Sequence, residues 1–253
     1  MRTLILLHGA PGEGALWQPV VDAMNADIRV IAPTLRWFGA EPWDDDGSAF
    51  GTEAHTNQLI ALLEECGGAP VSVAAWSYST HVALNALLRK QELITAAFLY
   101  EPGLSTYLSE ADEAAAFAAD AENAFGPIVA AMNEGGPEGA IEALFDSSGG
   151  ERCFAALSTA RRSAYLASAR IMPLLMGGGQ PPANITEADL RRIEVPLRVA
   201  HGRQTRTLFR IASQAVARGA ANAELVVVDD ADHMLPEKDP RRFAALLDAW
   251  LDR

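Results

Sequence analysis

Ser77 is the residue in this sequence best placed to act as a nucleophile. It follows an apolar run at 71–75 and precedes a helical pattern at 78–88, an order that predicts a strand, a sharp turn and a helix. Such a turn strains the backbone of its central residue and lifts that side chain clear of both elements. The residues two positions away, Ala75 and Ser79, are small, which lets the strand and the helix approach closely. The common form of this turn is G-x-S-x-G, so an ordinary junction with serines capping the helix is the alternative.

Two other segments supply groups that a nucleophilic serine needs. An apolar run at 3–7 ends in a glycine-rich loop that begins at His8, and a loop of this kind can aim a backbone N–H at an oxyanion. Near the other end of the chain, an apolar run at 225–228 is followed by a polar loop with one histidine, His233. A histidine that follows the last strand is a candidate general base for the serine.

Together these segments resemble the α/β-hydrolase family, and the resemblance spans nearly the whole chain. Three motifs carry it, in the family's order: Leu7-His8-Gly9-Ala10-Pro11, Trp76-Ser77-Tyr78 and Asp232-His233-Met234-Leu235-Pro236. The resemblance implies a serine nucleophile at Ser77 and a general base at His233. It also implies an oxyanion hole formed by the backbone N–H groups of Ala10 and Tyr78.

The acid that would orient the histidine departs from the family's common pattern. Members usually carry an aspartate in the loop after the strand that here ends at His201, and this chain has Thr205 there. Some members place the acid one strand earlier, where Glu101 directly follows an apolar run at 96–100. We therefore predict that Glu101 fixes the tautomer of the histidine and stabilises its imidazolium form. In one alternative, Glu101 is a surface residue that pairs with Arg203 or Arg206. In another, Asp229 or Asp230 serves as the acid in its place.

The elements that position these residues alternate between apolar strands and amphipathic helices. This alternation predicts an α/β fold, with a mostly parallel sheet covered by helices on both faces. Strands are predicted at 3–7, 28–32, 71–75, 96–100, 197–201 and 224–228. Helices are predicted at 15–24, 52–66, 78–89, 207–218 and 240–251. His55, in the second of these helices, lies among polar neighbours, and we expect it to be solvated.

Between residues 103 and 192 the alternation stops. This stretch is helical and alanine-rich, and glycine and proline interrupt it at 135–137, 149–150 and 177–182. We predict a core formed by residues 1–102 and 193–253, with a helical cap at 103–192. An insertion at this edge of a sheet can close over an active site, and the alternative is a packing role alone.

Composition and charge narrow the class of protein. A chain of 253 residues with 49% hydrophobic and 21% charged residues is typical of a soluble enzyme with one large core. Its net charge of -13 argues against nucleic acid and anionic membranes as partners. The two cysteines lie far apart and no signal-peptide pattern opens the chain, so we expect a cytoplasmic protein. The five histidines are scattered without metal-site spacing, and we expect neither a metal nor a cofactor.

These residues predict a serine hydrolase that acts on an ester, thioester, lactone or related small acyl substrate. Ser77 would attack, His233 would take and return the proton, and an acyl-enzyme would form and hydrolyse. An alternative stays open because the elbow lacks its glycines and the usual aspartate is missing. In that alternative the protein has the hydrolase fold without hydrolysis, and is a lyase or a small-molecule receptor.

Overall fold

The computed structural model describes residues 2–25, 27–68 and 70–252. Within them, six strands form one sheet in the order β2-β1-β3-β4-β5-β6, and every neighbouring pair is parallel. The strands are β1 Arg2–Leu7, β2 Ile28–Ile31, β3 Val71–Trp76, β4 Ala96–Tyr100, β5 Leu197–Gly202 and β6 Ala223–Val228. The predicted α/β fold with a parallel sheet is confirmed, and each predicted strand is present.

The central strands are apolar along their length because helices flank the sheet. In β1 the side chains of residues 4–7 have no exposed surface, although successive side chains point to opposite faces. The edge strands β2 and β6 are only partly buried and include charged residues, Arg29 and Glu224. Burial on both faces thus explains why the apolar runs of the inner strands could be read from the sequence.

A helix is present outside the insertion at each predicted position, and α9 (Leu235–Lys238) is an additional helix that was not predicted. The helices at the predicted positions are α1 Gln18–Val21, α2 Thr52–Glu65, α3 Tyr78–Lys90, α8 Thr207–Gly219 and α10 Pro240–Leu251. The helix predicted at 15–24 is shorter, because a 3-10 turn at Gly14–Trp17 comes first and α1 begins beside Pro19. Proline lacks an N–H and fits only the first turn of a helix, so Pro19 fixes where α1 starts.

The segment between β4 and β5, which we call the insertion (residues 103–192), contains only helices and turns. Its α-helices are α4 Ala111–Gly149, α5 Cys153–Ala156, α6 Thr159–Ala167 and α7 Glu187–Leu190. Two 3-10 turns lie at Ser105–Tyr107 and Ala169–Ile171, and a π-helical turn lies at Leu174–Gly178. Gly136 leaves the helical conformation with φ 70°, so the break predicted at 135–137 lies inside α4. The predicted domain limits at 102 and 193 stay a prediction.

Two groups of polar contacts tie the insertion to the core, beside the loops that follow β5 and β6. Asp120 of α4 accepts a hydrogen bond of 2.7 Å from the Arg206 guanidinium. Glu237 of α9 accepts bonds from the Arg161 Nε at 2.9 Å and from the Tyr165 hydroxyl at 2.6 Å. In the part of the chain that the structure describes, no helix combines the length and the apolar character needed to cross a membrane.

Candidate active site

The turn between β3 and α3 holds Ser77 in a strained conformation. Its φ of 57° and ψ of -120° are rare for a residue with a side chain. Two hydrogen bonds hold the strained turn in place. The Ser77 N–H donates to the Tyr100 carbonyl at 2.9 Å, and the Ser79 hydroxyl donates to the His8 carbonyl. A side chain at Gly9 would place its Cβ only 3.3 Å from that of Ser77. Small residues therefore let the loop after β1 approach the serine.

Ser77, His233 and Glu101 form a continuous series of hydrogen bonds. The Ser77 Oγ lies 2.9 Å from His233 Nε2, and His233 Nδ1 lies 2.7 Å from Glu101 Oε2. A carboxylate only accepts, so the ring donates from Nδ1 and its Nε2 is left to accept the serine proton. The structure thus brings together the three residues that the sequence predicted as catalytic.

Glu101 is fully buried at the end of β4, where it holds three hydrogen bonds. Besides His233, the Gly202 N–H donates to Oε1 at 2.8 Å and the Thr205 hydroxyl donates to Oε2 at 2.6 Å. The alternative, in which Glu101 is a surface residue paired to Arg203 or Arg206, is wrong. Arg203 pairs with Asp229, and Arg206 pairs with Asp120.

Several contacts fix the position of the His233 ring and its loop. The Phe209 ring lies parallel to the imidazole, with 3.7 Å between centroids and 9° between planes. The Trp76 indole N–H donates to the His233 carbonyl at 3.0 Å, and the Tyr100 hydroxyl donates to the Asp232 carbonyl at 2.7 Å. Phe209 was not predicted as a site residue, because an aromatic residue in an amphipathic helix is usually part of the hydrophobic core.

Ala10 and Tyr78, whose backbone N–H groups were predicted to form the oxyanion hole, both line the cavity together with Ser77. Tyr78 is the first residue of α3, so its N–H has no partner within the helix. Among the described residues, neither N–H donates a backbone hydrogen bond. His8 supports the loop, donating from Nδ1 to the Gly9 carbonyl and accepting from the Leu35 N–H at Nε2, each at 3.0 Å. Its burial lowers its pKa to about 4, which keeps it neutral.

A cavity of about 580 Å³ opens above Ser77 and His233, between the insertion and the core. That volume is typical of sites for small organic ligands. Most of its lining is apolar, with side chains from the insertion on one side and from the core on the other: Phe125, Ile128, Leu144, Phe145, Leu174, Leu175, Met176, Trp76, Leu208, Phe209 and Met234.

His55 is buried, so the expectation that it is solvated is wrong. The helix α2 packs against α3, which places His55 in a cluster of aromatic rings. The Tyr78 hydroxyl donates to His55 Nδ1 at 2.8 Å, and His55 Nε2 donates to the Arg36 carbonyl at 3.0 Å. Burial lowers the pKa of His55 to about 4 and raises that of Tyr78. The side chain of Tyr78, the residue next to Ser77, is thereby held in place by its hydrogen bond to His55.

No three side chains of histidine, cysteine, aspartate or glutamate are grouped to hold a metal ion in residues 2–25, 27–68 and 70–252. The Ser77 hydroxyl and the His233 imidazole line the cavity, and the buried Glu101 carboxylate lies behind the imidazole in hydrogen-bond contact with it. Such a set can deprotonate the hydroxyl and stabilise the protonated ring.

Two known proteins match part of this sequence. Over 102 residues the chain is 26% identical to the lipase LipV of Mycobacterium tuberculosis, covering 40% of this chain and 38% of the lipase. Over 101 residues it is 33% identical to the pimeloyl-[acyl-carrier protein] methyl ester esterase of Vibrio parahaemolyticus, covering 37% of this chain and 36% of that enzyme. The matched segments therefore span under two fifths of these relatives.

The solved structure of a thermophilic esterase from Thermogutta terrifontis has the same fold. It superimposes with a TM-score of 0.74 at 20% identity, over 100% of this chain and 90% of the esterase. The family model of the alpha/beta hydrolases matches residues 4–246, which include every strand from β3 to β6 and the whole candidate site. The chain therefore belongs to the alpha/beta hydrolase family.

Proposed function

We propose that this chain is a serine hydrolase that cleaves an ester, thioester, lactone or related small acyl substrate through an acyl-enzyme on Ser77. One observation carries the proposal: the Ser77 hydroxyl, the His233 ring and the Glu101 carboxylate are joined by hydrogen bonds of 2.9 and 2.7 Å. The names of the matched relatives, a lipase and a methyl ester esterase, point to the same reaction class.

In the first half of the reaction, the Ser77 oxygen attacks the acyl carbonyl carbon while His233 Nε2 takes its proton. Glu101 stays ionised and stabilises the imidazolium through Nδ1. The carbonyl oxygen becomes an oxyanion, and the N–H groups of Ala10 and Tyr78 donate to it. His233 then gives its proton to the leaving alcohol or thiol, which departs and leaves the acyl group on Ser77.

In the second half, water attacks the acyl-enzyme. His233 takes a proton from the water, the same N–H groups hold the second oxyanion, and the proton returns to Ser77 as the acid leaves. In this proposal the insertion acts as a cap: its α4 and its turn at Leu174–Gly178 form the wall of the cavity that faces the serine. A cap limits the access of water to the intermediate until the leaving group has gone.

A fluorophosphonate probe tests the proposal, because it reacts with an activated serine. We expect covalent labelling of the wild type at Ser77, no labelling of Ser77→Ala, and loss of aryl-ester hydrolysis by several orders of magnitude in that variant. Ser72→Ala is the matched control, since Ser72 lies on the same strand and does not line the cavity. Unchanged labelling of Ser77→Ala would refute the nucleophile. Labelling without turnover of any acyl substrate would favour a lyase or a receptor.

A further inference from the structure

The cavity above Ser77 offers no free charge to a ligand. Among the described residues, no aspartate or glutamate lines it, although the chain carries 33 acidic residues. Its one lysine or arginine is Arg206, whose guanidinium is already engaged: one terminal nitrogen donates to Asp120 at 2.7 Å and the other to the Ser147 carbonyl at 3.1 Å. The Arg206 Nε has no hydrogen-bond partner among the described residues, but it is buried and not accessible to a ligand. A charged ligand group would therefore lose its hydration there without gaining a partner.

Three polar side chains in the lining are also hydrogen-bonded within the protein, whereas His81 Nε2 is buried without a partner in the described part of the chain. The Thr80 hydroxyl donates to the Ser77 carbonyl at 2.6 Å, and the Ser147 hydroxyl donates to the Ala124 carbonyl at 2.8 Å. The Gln180 amide donates to the Ser48 carbonyl at 2.8 Å. These groups gain nothing from turning toward a ligand, so away from Ser77 and His233 the cavity binds mainly through its apolar surface.

The apolar surface comes from both sides of the cavity. Phe125, Ile128 and Leu144 of α4 and Met176 of the turn at Leu174–Gly178 line the cavity together with Phe209 of the core. With about 580 Å³ the cavity is far larger than an acetyl group needs, and apolar surface that a substrate covers is removed from water.

We propose that the preferred substrates of this chain are esters or thioesters of uncharged aliphatic acids longer than acetate. The acyl chain would lie in the cavity between α4 and Phe209, and this inference rests on the proposed function. Each methylene that becomes buried raises kcat/KM by up to about fourfold until the cavity is filled. An ammonium or carboxylate group at the far end of the acyl chain removes this increase in kcat/KM.

A series of 4-nitrophenyl esters tests the proposal on the wild-type protein. We expect kcat/KM to rise from acetate through butyrate to hexanoate and octanoate. We expect it to fall about tenfold or more when the hexanoyl chain ends in an ammonium or a carboxylate group. Equal rates along the neutral series, or charged chains as fast as hexanoate, would overturn the proposal.

Two neighbouring residues of α4 provide a matched pair of variants. Ile128 is 2% exposed and lines the cavity, whereas Val129 is 46% exposed and does not. Ile128→Trp should lower the ratio of kcat/KM for octanoate to that for acetate about tenfold, while Val129→Trp should leave the ratio unchanged. Phe125→Ser, at a position that is 41% exposed, should lower the same ratio without threatening the fold.

Fluorophosphonate labelling of each variant separates the possible failures. A variant that labels at Ser77 is folded, and its ester ratio then reports on the cavity alone. Absence of labelling and of turnover in the wild type would refute the proposed function itself. Labelling with turnover but without any response of the ratio in Ile128→Trp and Phe125→Ser would refute only the assignment of the acyl chain to this cavity.

Discussion

The Thr205 hydroxyl donates a 2.6 Å hydrogen bond to Oε2 of Glu101, the same oxygen that accepts from His233 at 2.7 Å. The carboxylate thus stands at the end of β4, and the loop after β5 contributes a hydroxyl that holds it. The Gly202 N–H at the end of β5 donates to the other oxygen of Glu101, so β5 and the loop after it together fix both oxygens. A residue that cannot ionise therefore still acts on the orientation of His233, through Glu101.

Glu101→Gln should lower kcat steeply while changing the fold little. A glutamine can still accept the Gly202 N–H, but its amide does not stabilise an imidazolium and can impose the wrong tautomer on His233. The corresponding change costs about 10⁴ in rate in the serine proteases. Ester kinetics and the urea unfolding midpoint are the measurements. Turnover near that of the wild type would show that Glu101 does not orient the histidine.

Thr205→Val should have a smaller effect on kcat than Glu101→Gln. It removes one hydrogen bond to a carboxylate, an interaction of about 1.5–3 kcal/mol, and keeps the shape of the side chain. We expect roughly a tenfold loss of kcat, with the KM nearly unchanged. Thr205→Ser keeps the hydroxyl and is the control that should retain turnover. If both variants behave alike, the hydroxyl has no part in positioning Glu101.

The sequence predicted the fold, Ser77 and Glu101 for a shared physical reason. Inner strands of a parallel sheet are apolar on both faces, and their carboxyl ends meet at one edge. A polar residue directly after such a run, as with Ser77 and Glu101, is therefore visible without a structure. Thr205 was recognised only as a residue that could not replace an aspartate.

Contacts between helices could not be predicted in the same way. Polar neighbours such as Asn57 and Gln58 made the face of α2 around His55 resemble a solvated surface, although α2 packs there against α3. The stacking of Phe209 on His233 depends on how α8 docks, and an apolar residue in an amphipathic helix carries no sign of its partner. The ion pair between Arg161 of the insertion and Glu237 of α9 likewise depends on how helices dock.

Glu237→Gln should destabilise the protein by about 3–5 kcal/mol, because it leaves Arg161 without a counter-ion in a largely buried site. The Glu237 side chain is 4% exposed and also accepts from the Tyr165 hydroxyl at 2.6 Å. Urea unfolding monitored by circular dichroism measures the change. Glu187→Gln removes an exposed ion pair with Arg191 and should cost at most about 0.5 kcal/mol. Equal losses in the two variants would contradict a structural role for the buried pair.

Three buried histidines make the folded protein sensitive to acid. His8, His55 and His81 are neutral in the fold, and burial lowers the pKa of each from 6.5 to about 4. His81 is held by the Tyr107 hydroxyl, 2.7 Å from its Nδ1. In the unfolded chain these rings regain an ordinary pKa, so between about pH 6.5 and 4 the unfolded state binds more protons than the folded state.

The free energy of unfolding should therefore fall as the pH is lowered from about 6.5 toward 4, by up to roughly 1 kcal/mol per pH unit for each histidine. Above about pH 7.5 these three residues contribute little slope, because they are then neutral in both states. Urea midpoints measured at pH 7, 6 and 5 test the prediction. His55→Gln and His81→Gln should each flatten the decline between pH 6 and 5, since glutamine does not titrate. A decline that neither substitution flattens would have to come from other groups, and the buried histidines would then not govern the acid sensitivity.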